Sequence, residues 1–266
     1  MSLPAPARSH VALVTGASSG IGEEIARDLA ERGHELVLVA RSEGRLEALA
    51  ASLPVTAHVV PVDLSEDAER ARLADELATR GLVVDVLVNN AGFSTLGPVA
   101  RSEAGAELRM VAVDVGAVVD LCSRFVPGMV ERGAGAVLNV ASTAAFQPLP
   151  GQAAYGGSKA FVLSYTRSLG AELRGTGVTA TVLCPGPVDT GFGEAAGFDR
   201  EDFEKALPRP MWVAASDVAR AGVAGLDAGR AVVIPGAVNR VGAVLAARAP
   251  QGLLARVLAK AHPGLR

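Results

Sequence analysis

Between the apolar run Val11-Ala12-Leu13-Val14 and a long amphipathic segment lies Thr15-Gly16-Ala17-Ser18-Ser19-Gly20-Ile21-Gly22, an order that few folds accommodate. Glycines at 16, 20 and 22 let the backbone turn sharply and leave no side chains over the turn. Beyond them Ile21, Ile25 and Leu29 share one face, while Glu23, Glu24, Arg27, Asp28, Glu31 and Arg32 fill the others. That spacing predicts a helix with one apolar stripe, stopped at Gly33. Strand, glycine turn and helix together aim backbone N–H groups and a helix N-terminus at one point, the context that suits a pyrophosphate. Gly16, Ser18, Ser19, Gly20, Ile21 and Gly22 are therefore expected to cradle a dinucleotide. A tight turn without a ligand is the plainer alternative.

The pattern then repeats. Apolar runs at Glu35–Ala40, Val55–Val62, Val84–Val88, Ala136–Ala141, Val178–Leu183 and Ala231–Pro235 alternate with helix-compatible stretches, among them about Ser65–Arg80 and Gly105–Arg132. Such alternation predicts an α/β fold: a single-domain, Rossmann-type, doubly wound parallel sheet with helices on both faces. At 266 residues the chain is long enough to bury one large core. No repeat, low-complexity segment or linker divides it. The expected organisation is a short extension at 1–10, a main domain at 11–236 and a tail at 237–266.

The strand ends carry further signals. A fold of this kind that binds NAD usually has an acid about 20 residues past the first glycines, holding the ribose 2′-hydroxyl. Here Ala40 is followed by Arg41, a cation suited to a 2′-phosphate, so NADP is favoured over NAD unless Arg41 is an ordinary surface residue. Asp63-Leu64 ends the third run; the acid either accepts from an adenine amino group or forms a local turn. Asn89-Asn90-Ala91-Gly92 ends the fourth, and its small residues would let a ribose approach closely.

Ser142 stands just past the run Ala136–Ala141, at the strand end where open α/β sheets hold ligands. Tyr155 and Lys159 are four residues apart, one turn of helix. Free tyrosine ionises near pH 10, and a neighbouring ammonium favours the phenolate. Lowering that value to about 7 takes roughly 4 kcal/mol, which a close ammonium plus a nicotinamide cation would supply. The expectation is an activated Tyr155.

Composition excludes other classes. Lys and Arg number 25 against 28 Asp and Glu, a mild net charge of −3 that gives no reason to expect nucleic acid. Cys122 and Cys184 are too few for a disulfide framework, and the four histidines show no metal-ligand spacing, so no metal is expected. The first ten residues lack an apolar signal core and no stretch reaches the length of a membrane span; a cytoplasmic setting is the expectation.

Taken together, these residues make the chain resemble the short-chain dehydrogenase/reductase family from Val11 to Pro235. Its markers stand in order: the Thr-Gly-x-x-x-Gly-Ile-Gly turn at 15–22, Asp63, Asn89-Asn90-Ala91-Gly92, Ser142, Tyr155 with Lys159, and Pro185-Gly186. The resemblance implies an NAD(P)-dependent oxidoreductase acting on a small-molecule carbonyl or alcohol, and a homo-oligomer. It implies Tyr155 as general acid/base, Ser142 as a hydrogen-bond donor to the substrate carbonyl, and Lys159 as holder of the nicotinamide ribose. Asp63, Leu64, Asn90, Ala91, Gly92, Pro185, Gly186, Val188 and Thr190 become expected cofactor contacts. One position departs. Where the family offers an Asn for a water chain from the lysine, this chain has Asp114. Either the carboxylate keeps that acceptor role, which is the expectation, or the relay is impaired.

Substrate contacts are implied in the segment at 186–213, a flap holding Phe192, Phe198, Phe203, Met211 and Trp212 in a chain poor in aromatics. With Phe93, Phe146 and Leu149 they suggest an apolar substrate. After Asp227 no acid occurs, whereas Arg230, Arg240, Arg248, Arg256, Lys260 and Arg266 do, with Val241, Val244, Leu245, Leu253, Leu254, Val257 and Leu258 between them. This basic amphipathic tail is expected to pack on its own chain, cap the pocket, join a second subunit or, less readily, touch an anionic membrane. Two rival functions stay open: a cofactor-sensing or interaction protein with weak catalysis, and a 3-oxoacyl reductase of lipid metabolism.

Overall fold

The computed structural model describes residues 3–197, 208–261 and 265. Seven strands form one sheet: β1 (His10–Thr15), β2 (Glu35–Ala40), β3 (Ala57–Pro61), β4 (Val83–Asn89), β5 (Gly135–Val140), β6 (Val178–Leu183) and β7 (Val232–Val233). Their order is β3-β2-β1-β4-β5-β6-β7, every neighbouring pair parallel. The α-helices are α1 (Gly20–Glu31), α2 (Glu43–Ser52), α3 (Asp67–Thr79), α4 (Ala104–Val111), α5 (Val118–Arg132), α6 (Ala153–Glu172), α7 (Phe192–Ala195), α8 (Ala215–Asp227), α9 (Ala237–Arg248) and α10 (Gln251–Ala261).

Alternate residues of β1 explain the two-sided burial. Val11 and Leu13 enter a core with Leu73, Leu77, Leu121, Met129 and Val162, from α3, α5 and α6. Ala12 and Val14 enter the opposite core with Ile25, Leu29, Leu46, Val218 and Leu226, from α1, α2 and α8. A strand covered on both faces has no solvent side, which is why the central strands read as unbroken apolar runs. This is the doubly wound sheet that the alternation predicts. β3 and β7 are shorter than their apolar runs because both are edge strands, with a partner on one side only.

One feature differs from the sequence expectation. The stretch expected as one helix over 105–132 is divided: a π-helical turn, Ala112–Ala117, separates α4 from α5, and Asp114 sits in it with 1 % exposure. A π turn carries an i→i+5 backbone pattern that side-chain spacing does not announce. The tail is ordered into α9 and α10. Phe198 and Phe203, assigned to the flap, lie outside the described residues. No helix among the described residues is long and apolar enough to cross a membrane.

Chain order reverses between β1 and β4, and ligands of open α/β sheets sit in the crevice beyond the carboxyl ends of such strands. The tail borders this end. Asn239 of α9 is 1 % exposed and donates to Met211 O (2.8 Å) and Pro235 O (3.1 Å). A side chain on Gly186 would start 2.5 Å from the Asn239 amide, so glycine there lets α9 close against the segment after β6. The opposite face of α9 exposes Val238, Val241, Val244 and Leu245.

Replacing Asn239 with Ala removes two buried hydrogen bonds and strands their carbonyls. The expected cost is about 1–3 kcal/mol, seen in a thermal melt as a Tm lower by roughly 2–10 °C. An unchanged Tm would mean that α9 is held by its apolar contacts alone.

Candidate active site

The glycine turn is built as the sequence implies, and β4 locks it. Gly16 and Gly20 take φ of 65° and 59°, the left-handed region that disfavours side chains. A Cβ on Gly22 would lie 2.3 Å from Gly16 O and 2.4 Å from Asn90 Nδ2. Asn90 explains the crowding: its amide donates to Thr15 O at 2.9 Å and to Gly16 O at 3.4 Å. The Thr15 hydroxyl donates to Val88 O (3.2 Å) and accepts from the N–H groups of Asn90 (2.9 Å) and Ala91 (3.0 Å). Asn90 is thus a strut of the turn, and Thr15 is a structural residue that the reading of the turn overlooked. Ser19 caps α1 without a side-chain hydrogen bond among the described residues, which leaves the first N–H groups of the helix to an incoming anion. Thr190 lies over this helix start, its Cβ 3.0 Å from where a Gly20 side chain would begin.

Arg41 and Asp63 come together at the carboxyl ends of β2 and β3. Asp63 Oδ1 accepts from Ser65 N (2.9 Å) and Ser65 Oγ (2.7 Å), so the turn-forming reading of Asp63 is present in the fold. Partial burial would raise its pKa, but the two Ser65 bonds and the Arg41 guanidinium hold it below the usual carboxylate value. Leu64 is buried and its carbonyl accepts from Arg70 Nη1 at 2.7 Å. Val188 packs on the α1/α2 core.

Beyond β5, Ser142 caps a short 3₁₀ turn, Thr143–Phe146, accepting from Ala144 N (3.1 Å) and donating weakly to Pro185 O (3.5 Å). Pro185 O also accepts from Thr143 N at 2.9 Å, which ties the β6 exit to the Ser142 loop. Tyr155 and Lys159 lie on the buried face of α6, with Lys159 Nζ 5.5 Å from the centroid of the phenol ring. That ammonium donates to Val140 O (3.3 Å) and pairs with Asp114 Oδ2 (3.0 Å). Asp114 Oδ1 accepts from Phe93 N at 3.1 Å. A side chain on Gly92 would begin 3.0 Å from Asp114 Oδ1 and 3.1 Å from Lys159 Nζ, so glycine leaves room for this pair.

The electrostatics correct one expectation. Burial pushes the Tyr155 phenol above its ordinary value; Lys159 pulls it down, Asp114 pushes it up again, and the Ser142 hydrogen bond lowers it. The net direction is upward in the protein by itself, because burial, helped by Asp114, outweighs the ammonium expected to activate the phenol. Burial acts against the charge on Lys159 too, but Asp114 and Tyr155 outweigh it and the ammonium is held. Asp114 is raised by its complete burial, opposed by Lys159 and the Phe93 N–H.

Apolar groups close around the phenol. Met110, Ala144 and Tyr155 form a cluster edged by Phe93, Leu149 and Phe192, the last ring 5.7 Å from that of Tyr155. Phe146, expected on the same wall, packs against the main core instead. Burial pushes the Cys184 thiol up to about 12, so it is an inert core group. Behind the site runs a polar chain not foreseen from the sequence: Asn89 Nδ2 donates to Asn139 Oδ1 (2.8 Å), and Asn139 Nδ2 donates to Thr166 Oγ1 (2.9 Å). Two asparagines inside apolar strand runs were the available signal, since a buried amide requires a partner. No cluster of three or more metal-ligating side chains occurs among the described residues.

A family model described as short chain dehydrogenase matches residues 10–200. Sulfoacetaldehyde reductase 2 of Chromohalobacter salexigens is 37% identical over 188 residues, 69% of this chain and 75% of that protein. A short-chain dehydrogenase from Sphingobium yanoikuyae, solved in complex with NADPH, is 33% identical with a TM-score of 0.79, covering 92% of this chain and 94% of the other. A bulky-bulky ketone specific alcohol dehydrogenase from Comamonas testosteroni is 29% identical with a TM-score of 0.74, covering 92% and 93%. With that match across the glycine turn and the Ser142, Tyr155 and Lys159 constellation, the chain belongs to the short-chain dehydrogenase/reductase family and is an oxidoreductase acting on alcohol or carbonyl groups.

Proposed function

We propose that this chain is an NADP(H)-dependent oxidoreductase that interconverts an apolar carbonyl compound and its alcohol, with Tyr155 as the general acid/base. The observation that carries this reading is the convergence of the Ser142 hydroxyl, the Tyr155 phenol and the Lys159 ammonium in one apolar recess beside the glycine turn. The residues fit a dinucleotide: Gly16, Gly20 and Gly22 carry no side chain where a Cβ would crowd the turn, and Arg41, just past β2 and close enough to act on Asp63, is a cation suited to a 2′-phosphate. Bound reduced nicotinamide supplies a hydride to the carbonyl carbon and is oxidised in doing so.

As the carbon–oxygen π bond breaks, negative charge builds on the oxygen. The Ser142 and Tyr155 hydroxyls stabilise it by hydrogen bonding. Tyr155 then gives its proton to that oxygen, completing the alcohol, and recovers one from solvent. Lys159 has three N–H donors, of which two face Asp114 and Val140 O, leaving one for a ribose hydroxyl. Phe93, Leu149 and Phe192 favour an apolar group on the substrate, in keeping with the ketone preference in the name of the Comamonas relative. The intact trio argues against a cofactor sensor with weak catalysis.

Two variants test the assignment. Tyr155→Phe is expected to lower kcat by about 10²–10⁴-fold while NADPH binding, followed by nucleotide fluorescence, stays within twofold. Retained turnover would assign the proton to another group. Arg41→Ala is expected to weaken NADPH by roughly 10–100-fold, the worth of a charge-assisted hydrogen bond, and to leave NADH unchanged. Equal binding of both nucleotides by the parent protein would remove Arg41 from the cofactor site and leave the oxidoreductase reading standing.

A further inference from the structure

Asp114 is the feature of the site that a relay of water molecules does not account for. It is wholly buried, its Oδ2 lies 3.0 Å from Lys159 Nζ, and its Oδ1 accepts the Phe93 N–H. Oδ1 thus meets an N–H, while Oδ2 makes an ion-pair contact with the buried ammonium, without a hydrogen bond of good geometry among the described residues; that contact opposes the effect of burial and favours the charged pair. A π turn in the helix carries this side chain, and Gly92 leaves space for it.

We propose that Asp114 is a positioning residue that neutralises Lys159 and so reserves Tyr155 as a proton donor, tuning the site to carbonyl reduction across a wide alkaline range. The inference rests on the role assigned to Tyr155 above. Its logic is electrostatic. An uncompensated ammonium 5.5 Å from a buried phenol ring favours the phenolate, the form that accepts a proton when an alcohol is oxidised. A carboxylate in contact with that ammonium removes most of its field and leaves the neutral phenol, the form that donates. The equilibrium between alcohol and carbonyl is unaffected; what moves is the pH at which each direction runs fastest.

The other groups around the trio do not offset this. Ser142, beyond β5, is a neutral hydroxyl on the phenol. Cys184, beyond β6, acts on Lys159 but burial holds it as the thiol, its pKa pushed up to about 12. Phe93 on the β4 side contributes only its N–H, and Phe192 of α7 an uncharged ring. The sign is then determined. A phenol whose ionisation is raised stays protonated to higher pH, so reduction persists there and oxidation needs a more alkaline medium.

The chain has two tyrosines, which makes the test direct. Tyr165→Phe leaves Tyr155 as the sole phenol, and its ionisation is read from tyrosinate absorbance in the protein without nucleotide. In this background the Tyr155 midpoint is expected above the value of about 10 for free tyrosine. Adding Asp114→Asn is expected to lower it by on the order of one pH unit. In enzymes carrying Tyr165, Asp114→Asn should move the alkaline loss of reduction and the onset of oxidation down by the same interval. A midpoint at or below 10 in the single variant overturns the proposal without requiring that the Asp114 variant fold. A midpoint that stays put or rises in the double variant overturns it as well. Because the titration needs neither cofactor nor turnover, it fails or succeeds independently of the proposed reaction.

Discussion

An ammonium and a carboxylate stand 3.0 Å apart at the heart of this protein, both almost without exposure, and each is tolerable there only because of the other. Stripping one partner from such a pair leaves an uncompensated buried charge at a cost of about 3–5 kcal/mol. The pair also joins parts of the chain that are remote in sequence. Lys159 rises from α6 and touches the end of β5 through Val140 O; Asp114 comes from the π turn and holds the backbone after β4 through Phe93 N. Movement of any one of these segments would loosen the rest. The tyrosine one turn before Lys159 inherits its position from this brace.

A second lock fixes the opposite side of the crevice. Thr15 and Asn90 lie at the ends of β1 and β4, where the order of the sheet reverses; two hydrogen bonds join them directly, and two more run from Asn90 to Gly16 and from Ala91 to Thr15, all of 2.9–3.4 Å. The turn owes its shape to glycine and its rigidity to that asparagine. Since Asn90 is followed by Ala91, Gly92 and Phe93, the segment that holds the nucleotide turn leads directly into the one that holds Asp114. The proposed cofactor cradle and proton site are thereby built on one continuous strand exit.

Much of this was legible in the sequence. The doubly wound sheet followed from runs such as Val11–Val14 and Val178–Leu183, whose burial on both faces leaves no polar alternation. The glycine turn and the Tyr155–Lys159 spacing are local, and local geometry is what a linear pattern records. The misses were of another kind. A π turn at Ala112–Ala117 changes the backbone hydrogen-bond register without changing residue types. Phe146 faces the core and not the recess because a 3₁₀ turn, begun by the Ser142 cap, rotates it there. Most tellingly, the net direction at Tyr155 differs from the expectation although the sign of the Lys159 effect does not: residue spacing within α6 reveals the ammonium that lowers the phenol, but only the tertiary fold buries that phenol and brings a carboxylate from another helix against the ammonium.

Substrate preference and acidity are coupled through the same burial. The apolar groups around Tyr155, Met110 and Ala144 with Phe93, Leu149 and Phe192 at the edge, provide a surface against which the proposed apolar substrate would gain from leaving water. They also exclude the water that would solvate a phenolate, and that exclusion is the largest cause of the upward push on Tyr155. A more polar recess would admit polar substrates and would also leave less of the phenol protonated across the alkaline range, because its anion would be better solvated. The recess and the Asp114–Lys159 pair therefore act in the same direction. Under the proposed function the recess would favour an apolar carbonyl, and both would keep the phenol protonated to donate to its oxygen.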